Sequence, residues 1–87
     1  MSITSEKING TLIEVEIKSS NLKFASYDTD SELMTVEFNS GAIYEYKKVP
    51  WNKFTKFRLA ESQGRYFNEN IKKNYTFSKI QWVYLKN

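Results

Sequence analysis

The chain has no cysteine and no histidine, one proline and three glycines in 87 residues. Without cysteine there is no disulfide framework and no thiolate chemistry. Without histidine the commonest metal ligand and the commonest general base near neutral pH are both missing. No Ser-His, Cys-His or histidine-based metal cluster can be assembled from this alphabet, and no glycine-rich phosphate loop is present. No apolar run reaches the roughly 18 residues of a membrane span. Residues 1–7 lack the apolar core of a signal segment. The expectation is a soluble cytoplasmic protein. Scarce glycine and proline with 40% hydrophobic residues argue against disorder.

What the chain has in quantity is aromatic bulk and a divided charge. Six Tyr, six Phe and two Trp make 16% of the residues. They offset the modest core of a single small domain, because each buried ring removes a large apolar area from water. Net charge is +3, but its sign changes along the chain. Residues 1–46 set three lysines against eight acids, and residues 47–87 set ten Lys or Arg against Glu61 and Glu69. That asymmetry points to an anionic partner for the second half, or to an acidic sheet beside a basic helix.

The periodicities predict an α+β fold: an antiparallel meander of four to five strands packed on one main helix, plus a short second helix. Residues 1–10 read as a polar N-terminal arm ending in the turn residues Asn9-Gly10. Ile13, Val15 and Ile17 alternate with Glu14 and Glu16 in a half-buried strand. Residues 22–28 resume the alternation, with Leu22 and Phe24 on one side. Met34, Val36 and Phe38 line a third strand. Asn39-Ser40-Gly41 suits a three-residue hairpin loop with Gly41 left-handed. Tyr44 and Tyr46 share a face of the fourth strand. Pro50 opens a helix running to about Ser62, with Trp51, Phe54, Phe57 and Ala60 along one arc and Gly64 as its stop. Residues 65–71 suit a further helical turn or two. Residues 75–85 read as a last extended segment. Residues 11–80 thus form one domain and 81–87 an extension.

The order Ser19-Ser20-Asn21, Tyr27-Asp28, Gly41, Tyr44-Glu45-Tyr46, Val49-Pro50, Gly64, Tyr66-Phe67-Asn68, Ile71, Tyr75 and Lys79-Ile80 resembles the KTSC domain. The Tyr44-Glu45-Tyr46 centre and the Gly64-Arg65-Tyr66-Phe67-Asn68 string carry the likeness, over about residues 14–80. The resemblance implies a small bacterial or phage module, found alone and at the C-terminus of some lysyl-tRNA synthetases, with a suspected role in binding RNA. The tail Gln81–Asn87 and the longer start depart from the family unit.

The candidate site residues follow from chemistry. Tyr44 and Tyr46 either stack on a planar ligand, at roughly 1–3 kcal/mol each, or fill the core with hydroxyls at the rim. Arg65, Lys72 and Lys73, beside Tyr66 and Asn68, form the best anion site. Free N–H groups of a helix starting after Gly64 would add to it. The alternative is a capping network in which Asn68 ties two turns together. Ser20 and Asn21 form either a bulge held by side-chain bonds or the polar edge of a pocket. Asp28 and Asp30 sit in a turn signature, where a solvated loop is preferred to acid–base work. The expected function is a non-enzymatic binding module for a phosphate-bearing nucleotide, without cofactor or metal. Its partner is RNA or a small nucleotide signal, the latter suiting a phage-type sponge. The other class is a protein-interaction module. Trp82, Tyr84 and Leu85 in the tail are expected at the interface of a homo-oligomer, most simply a dimer.

Overall fold

The computed structural model describes residues 2–80. Six strands pair in sequence order as one antiparallel meander: β1 (Ser2–Asn9), β2 (Leu12–Lys18), β3 (Leu22–Asp28), β4 (Leu33–Phe38), β5 (Ile43–Tyr46) and β6 (Phe77–Ile80). The helix α1 (Trp51–Leu59) follows β5. The short α2 (Gln63–Tyr66) then runs directly into a π-helical turn, Phe67–Ile71. The α+β meander with two helices is the architecture the alternation predicts.

The additional strand comes from the predicted arm. Residues 2–9 are not loose: they pair with β2 from Ser2↔Lys18 to Asn9↔Leu12. Gly10, at φ 66°, makes the tight turn between the two strands. The polar sequence hides this strand because its two isoleucines are out of phase. Ile3 and Ile8 stand opposite Ile17 and Ile13, with a register shift between Ile3 and Ser5. A bulge of one residue restores a common face that strict alternation denies. The same device corrects β3. Its register slips between Leu22 and Phe24, so Leu22, Ala25 and Tyr27 enter the core while Phe24 turns to the other face.

The core lies between one face of the sheet and the helical layer. Val15, Leu22, Tyr27, Met34 and Val36 from the sheet meet Phe54, Phe57, Phe67 and Ile71, all fully buried. Tyr27 is central. Its ring stacks on Phe54 at 4.7 Å, and its hydroxyl donates to the Val49 carbonyl at 2.6 Å. That bond holds the residue before Pro50, and with it the start of α1. Trp51 leaves the predicted apolar arc and is 45% exposed. The Arg58 guanidinium lies over its ring at 5.4 Å and pairs with Glu6 of β1 at 2.7 Å.

The stop of α1 also differs from expectation. The helix ends at Leu59, where Ala60 turns extended. The buried Gln63 amide then donates to the Ala60 carbonyl at 2.9 Å and to Arg58 at 3.3 Å. Gly64 is not the stop; it sits inside α2. Gly41 does take the left-handed conformation its hairpin loop requires, at φ 97°.

Candidate functional site

The helical segment after Gln63 rests on one end of the sheet, where the β2–β3 and β4–β5 turns meet. The Asn39 side-chain amide donates to the Ser19 carbonyl at 3.0 Å, and the Asn39 N–H donates to the Asn21 carbonyl at 2.9 Å. These bonds fix the two polar turns side by side. Two open clefts flank the segment there.

The first cleft, of about 460 Å³, is lined by Phe38, Ala42, Tyr44, Tyr46 and Phe77, with Ser40, Lys72 and Lys73 also on its wall. Its floor is a ring cluster. Tyr44 meets Phe38 at 5.8 Å and Phe77 at 5.5 Å, and Tyr46 meets Phe77 at 5.6 Å and Phe67 at 5.3 Å. The strand register explains the grouping: Tyr46 stands opposite Phe77, and Tyr44 opposite Lys79. The two tyrosines have different fates. Tyr46 is buried to 2% exposure and belongs to the core, whereas Tyr44 is half-buried at the cleft. Burial, then the neighbouring Tyr44, pushes the Tyr46 hydroxyl above its ordinary range, so it stays protonated and neutral. Phe77 is 52% exposed. Its ring joins Tyr44 and Phe38 in an apolar patch open to solvent, with two lysines on the same wall.

The second cleft, of about 450 Å³, is polar. Ser19, Ser20, Asn21, Ser62, Gly64, Arg65, Asn68 and Glu69 line it. Asn21 is committed: the Ser19 hydroxyl donates to its Oδ1 at 3.0 Å. Gly64 packs against this pair so closely that a Cβ would overlap Asn21 Oδ1. Here Gly64, part of the string that carries the resemblance, serves helix-to-turn contact. Ser20 and the exposed Asn68 make no side-chain hydrogen bond among the described residues. Arg65 pairs with Glu69 one helical turn on, at 3.3 Å, with both side chains largely exposed.

Of the residues singled out in the sequence, Tyr44, Tyr46, Lys72 and Lys73 therefore meet in one cleft, and Ser20, Asn21, Arg65 and Asn68 in the other. Tyr66 joins neither. It is half-buried and lines a separate shallow hollow with Glu61 and Glu69. No helix starts after Gly64: α2 begins at Gln63, and the Arg65 N–H donates to Ser62 Oγ at 3.3 Å and the Tyr66 N–H to the Ser62 carbonyl at 3.0 Å. Nor does Asn68 tie the turns together. Asn70 does so through the Tyr66 carbonyl at 3.3 Å, and Asn74 through the Asn70 carbonyl at 2.8 Å. Phe77 was missed as a site residue; its alternation with the tyrosines pointed to it only once β6 was known to pair with β5. The expected interface residues Trp82, Tyr84 and Leu85, and the extension 81–87, lie outside the described residues.

The described residues contain no group of three or more Asp or Glu placed to hold a metal ion. No helix among them is long and apolar enough to cross a membrane.

Comparison with known proteins fits this geometry. The KTSC domain model matches residues 18–75, from the end of β2 through the helical segment. An uncharacterized protein of Stutzerimonas stutzeri (strain A1501) is 37% identical over 67 residues, which are 76% of this chain and 94% of that protein. A lysine–tRNA ligase of Nostoc punctiforme is 36% identical over 63 residues, covering 72% of this chain but 11% of the ligase. The chain therefore corresponds to about a tenth of that enzyme. The crystal structure of a KTSC domain protein from Yersinia pestis superposes with a TM-score of 0.74 at 30% identity, covering 80% of this chain and 99% of that one. The likeness in sequence and in fold places this chain in the KTSC domain family.

Proposed function

We propose that this chain is a binding module without turnover for a phosphate-bearing nucleotide, held in the aromatic cleft of Phe38, Tyr44 and Phe77. The supporting observation is the half-exposed Phe77 beside Tyr44, with Lys72 and Lys73 on the same cleft. A base stacks on such rings whatever its identity, at roughly 1–3 kcal/mol. The lysines supply point charges for its phosphate. Among the described residues, the ionisable groups that shift clearly all move away from neutrality. Tyr27, Tyr46 and Tyr66 are raised chiefly by burial, and Asp28 is lowered chiefly by the Asp30 N–H. Such groups suit a fixed site better than proton transfer near pH 7.

The ligand is RNA or a small nucleotide signal. Kinship with a stretch of lysine–tRNA ligases supports the first; an open cleft of about 460 Å³, within the range of small-ligand sites, supports the second, and a chain binding such a signal tightly would act as a sponge. Calorimetry against short RNA and against free nucleotides tests both. Binding with Kd below about 100 μM to either, weakened 10-fold or more by Phe77→Ala, is the expected result. Silence from both returns the domain to the protein-interaction class, for which the acidic strand residues Glu14, Glu16 and Glu37 are the candidate surface. A homo-oligomer through Trp82, Tyr84 and Leu85 remains part of the proposal. Light scattering before and after truncation at Ile80 checks it, with a fall in mass expected.

A further inference from the structure

The polar cleft has no task in holding a single base, yet it adjoins the aromatic one. Arg65 and Asn68 line the polar cleft and Lys72 lines the aromatic one, so the helical segment carries polar and charged side chains from one cleft to the other. Lys72 follows Arg65 by seven residues, at most roughly 10 Å at the α-helical rise of about 1.5 Å per residue. On the sheet side the same path is continuous, because Asn39 bonds the Ser19 and Asn21 carbonyls and sets the turn of Ser20 against the turn of Ser40. We infer that the two clefts form one track, and that the polar cleft of Ser20, Arg65 and Asn68 takes the sugar–phosphate unit adjoining the base held at Phe77. The ligand is then two or more nucleotides joined by a phosphodiester. This rests on the nucleotide reading above and narrows it.

The chemistry of the polar cleft fits that unit. It has no aromatic lining and so offers nothing for a base to stack on. It offers a hydroxyl from Ser20 and an amide from Asn68, both without a hydrogen bond among the described residues. An amide donates and accepts, which suits the ribose hydroxyls. Arg65 supplies the charge. Its partner Glu69 holds it weakly, since an exposed ion pair is worth little, and a phosphate presents a bidentate alternative. In a stacked strand, phosphates recur every ~3.4 Å of rise. A track of ~10 Å therefore takes about three to four nucleotides.

The ligand class has two sources, a linear RNA strand or a linked small nucleotide, and one titration series separates them. The probes are 5′-phosphorylated oligoadenylates of one to six residues and a cyclic diadenylate, measured by calorimetry against the full chain. The expected result is affinity rising at least 10-fold from one to four residues and then levelling. If the cyclic diadenylate matches the tetramer, the linked signal is the ligand; if it binds like the monomer, the strand is. Arg65→Ala and Asn68→Ala should weaken the tetramer 5-fold or more while leaving the mononucleotide unchanged. Arg65→Ala should also lower the salt slope by about 0.7. Arg65→Lys, keeping the charge, should restore the slope. A mononucleotide that binds as tightly as the tetramer, with both variants neutral, overturns the track but leaves the nucleotide cleft standing. No binding by any probe overturns both.

Discussion

Replacing Gly64 by alanine reverses the usual sign of that substitution. Inside a helix, Gly→Ala normally stabilises by about 0.5–1 kcal/mol, because glycine gives up more backbone freedom on folding. Gly64 is helical and has no positive φ, so its backbone would accept alanine. Its surroundings would not. The added Cβ overlaps Asn21 Oδ1 and lies 3.3 Å from Asn21 Cγ and 3.2 Å from Ser19 Oγ. Moving the asparagine side chain aside breaks the bond its Oδ1 accepts from the Ser19 hydroxyl. Overpacking typically costs about 1–3 kcal/mol, and the lost hydrogen bond about 1 kcal/mol. Set against the propensity gain, the net is a destabilisation of about 1–3.5 kcal/mol. For a domain of this size that lowers Tm by about 4–28 °C. Chemical denaturation of the four proteins of the Asn21→Ala, Gly64→Ala cycle measures it. The coupling should be at least 1 kcal/mol, with Gly64→Ala close to neutral once Asn21 is shortened. A Gly64→Ala protein more stable than the parent would refute the account of how α2 docks on the β2–β3 turn.

Tyr27→Phe removes the 2.6 Å bond to the Val49 carbonyl and leaves that buried acceptor unpaired, so calorimetric unfolding should show a loss of about 1–3 kcal/mol. Burial, with Glu32 and Asp28 nearby, raises the Tyr27 hydroxyl pKa. The native bond is then fully present below the unfolded value near 10, and its stabilisation fades as pH rises through the folded value. The parent should lose stability above pH 10 faster than Tyr27→Phe does. The Asp30 N–H lowers the Asp28 pKa, so that turn's contribution is present above about pH 3.9 and is lost as pH falls below it. Asp28→Ala should converge on the parent in acid denaturation. Arg58→Ala frees β1 from α1 by removing both the Glu6 pair and the cover over Trp51. Hydrogen exchange should quicken in β1 while β3 and β4 stay protected.

The order of elements was legible because β2 and β4 alternate cleanly, turn residues separate the strands and Pro50 marks the helix start. What escaped was set by single-residue shifts and by contacts between distant turns. The bulges at Thr4 and Lys23 each move half a strand to the other face, and no composition signals them. The capping of α1 by Gln63 arises four residues past the helix end, where glycine looked the better stop. For the site, residue types were readable and their grouping was not. Lys72 and Lys73 lie about thirty residues from Tyr44 in sequence, and Phe77 reaches the tyrosines only through the β5–β6 register. Tyr44 and Tyr46, equivalent in the sequence, are separated by how far Phe67 covers each ring: it packs on Tyr46 and leaves Tyr44 at the cleft.

Mapping amide shifts of the labelled protein during titration with a 5′-phosphorylated tetraadenylate tests the central claim most directly. The account predicts perturbations grouped at Phe38 to Tyr44, Lys72, Lys73 and Phe77, extending to Ser20, Arg65 and Asn68 and sparing β1 and Glu14 to Glu16. Perturbations centred on β1 and the acidic strands, or none at millimolar ligand, would contradict it.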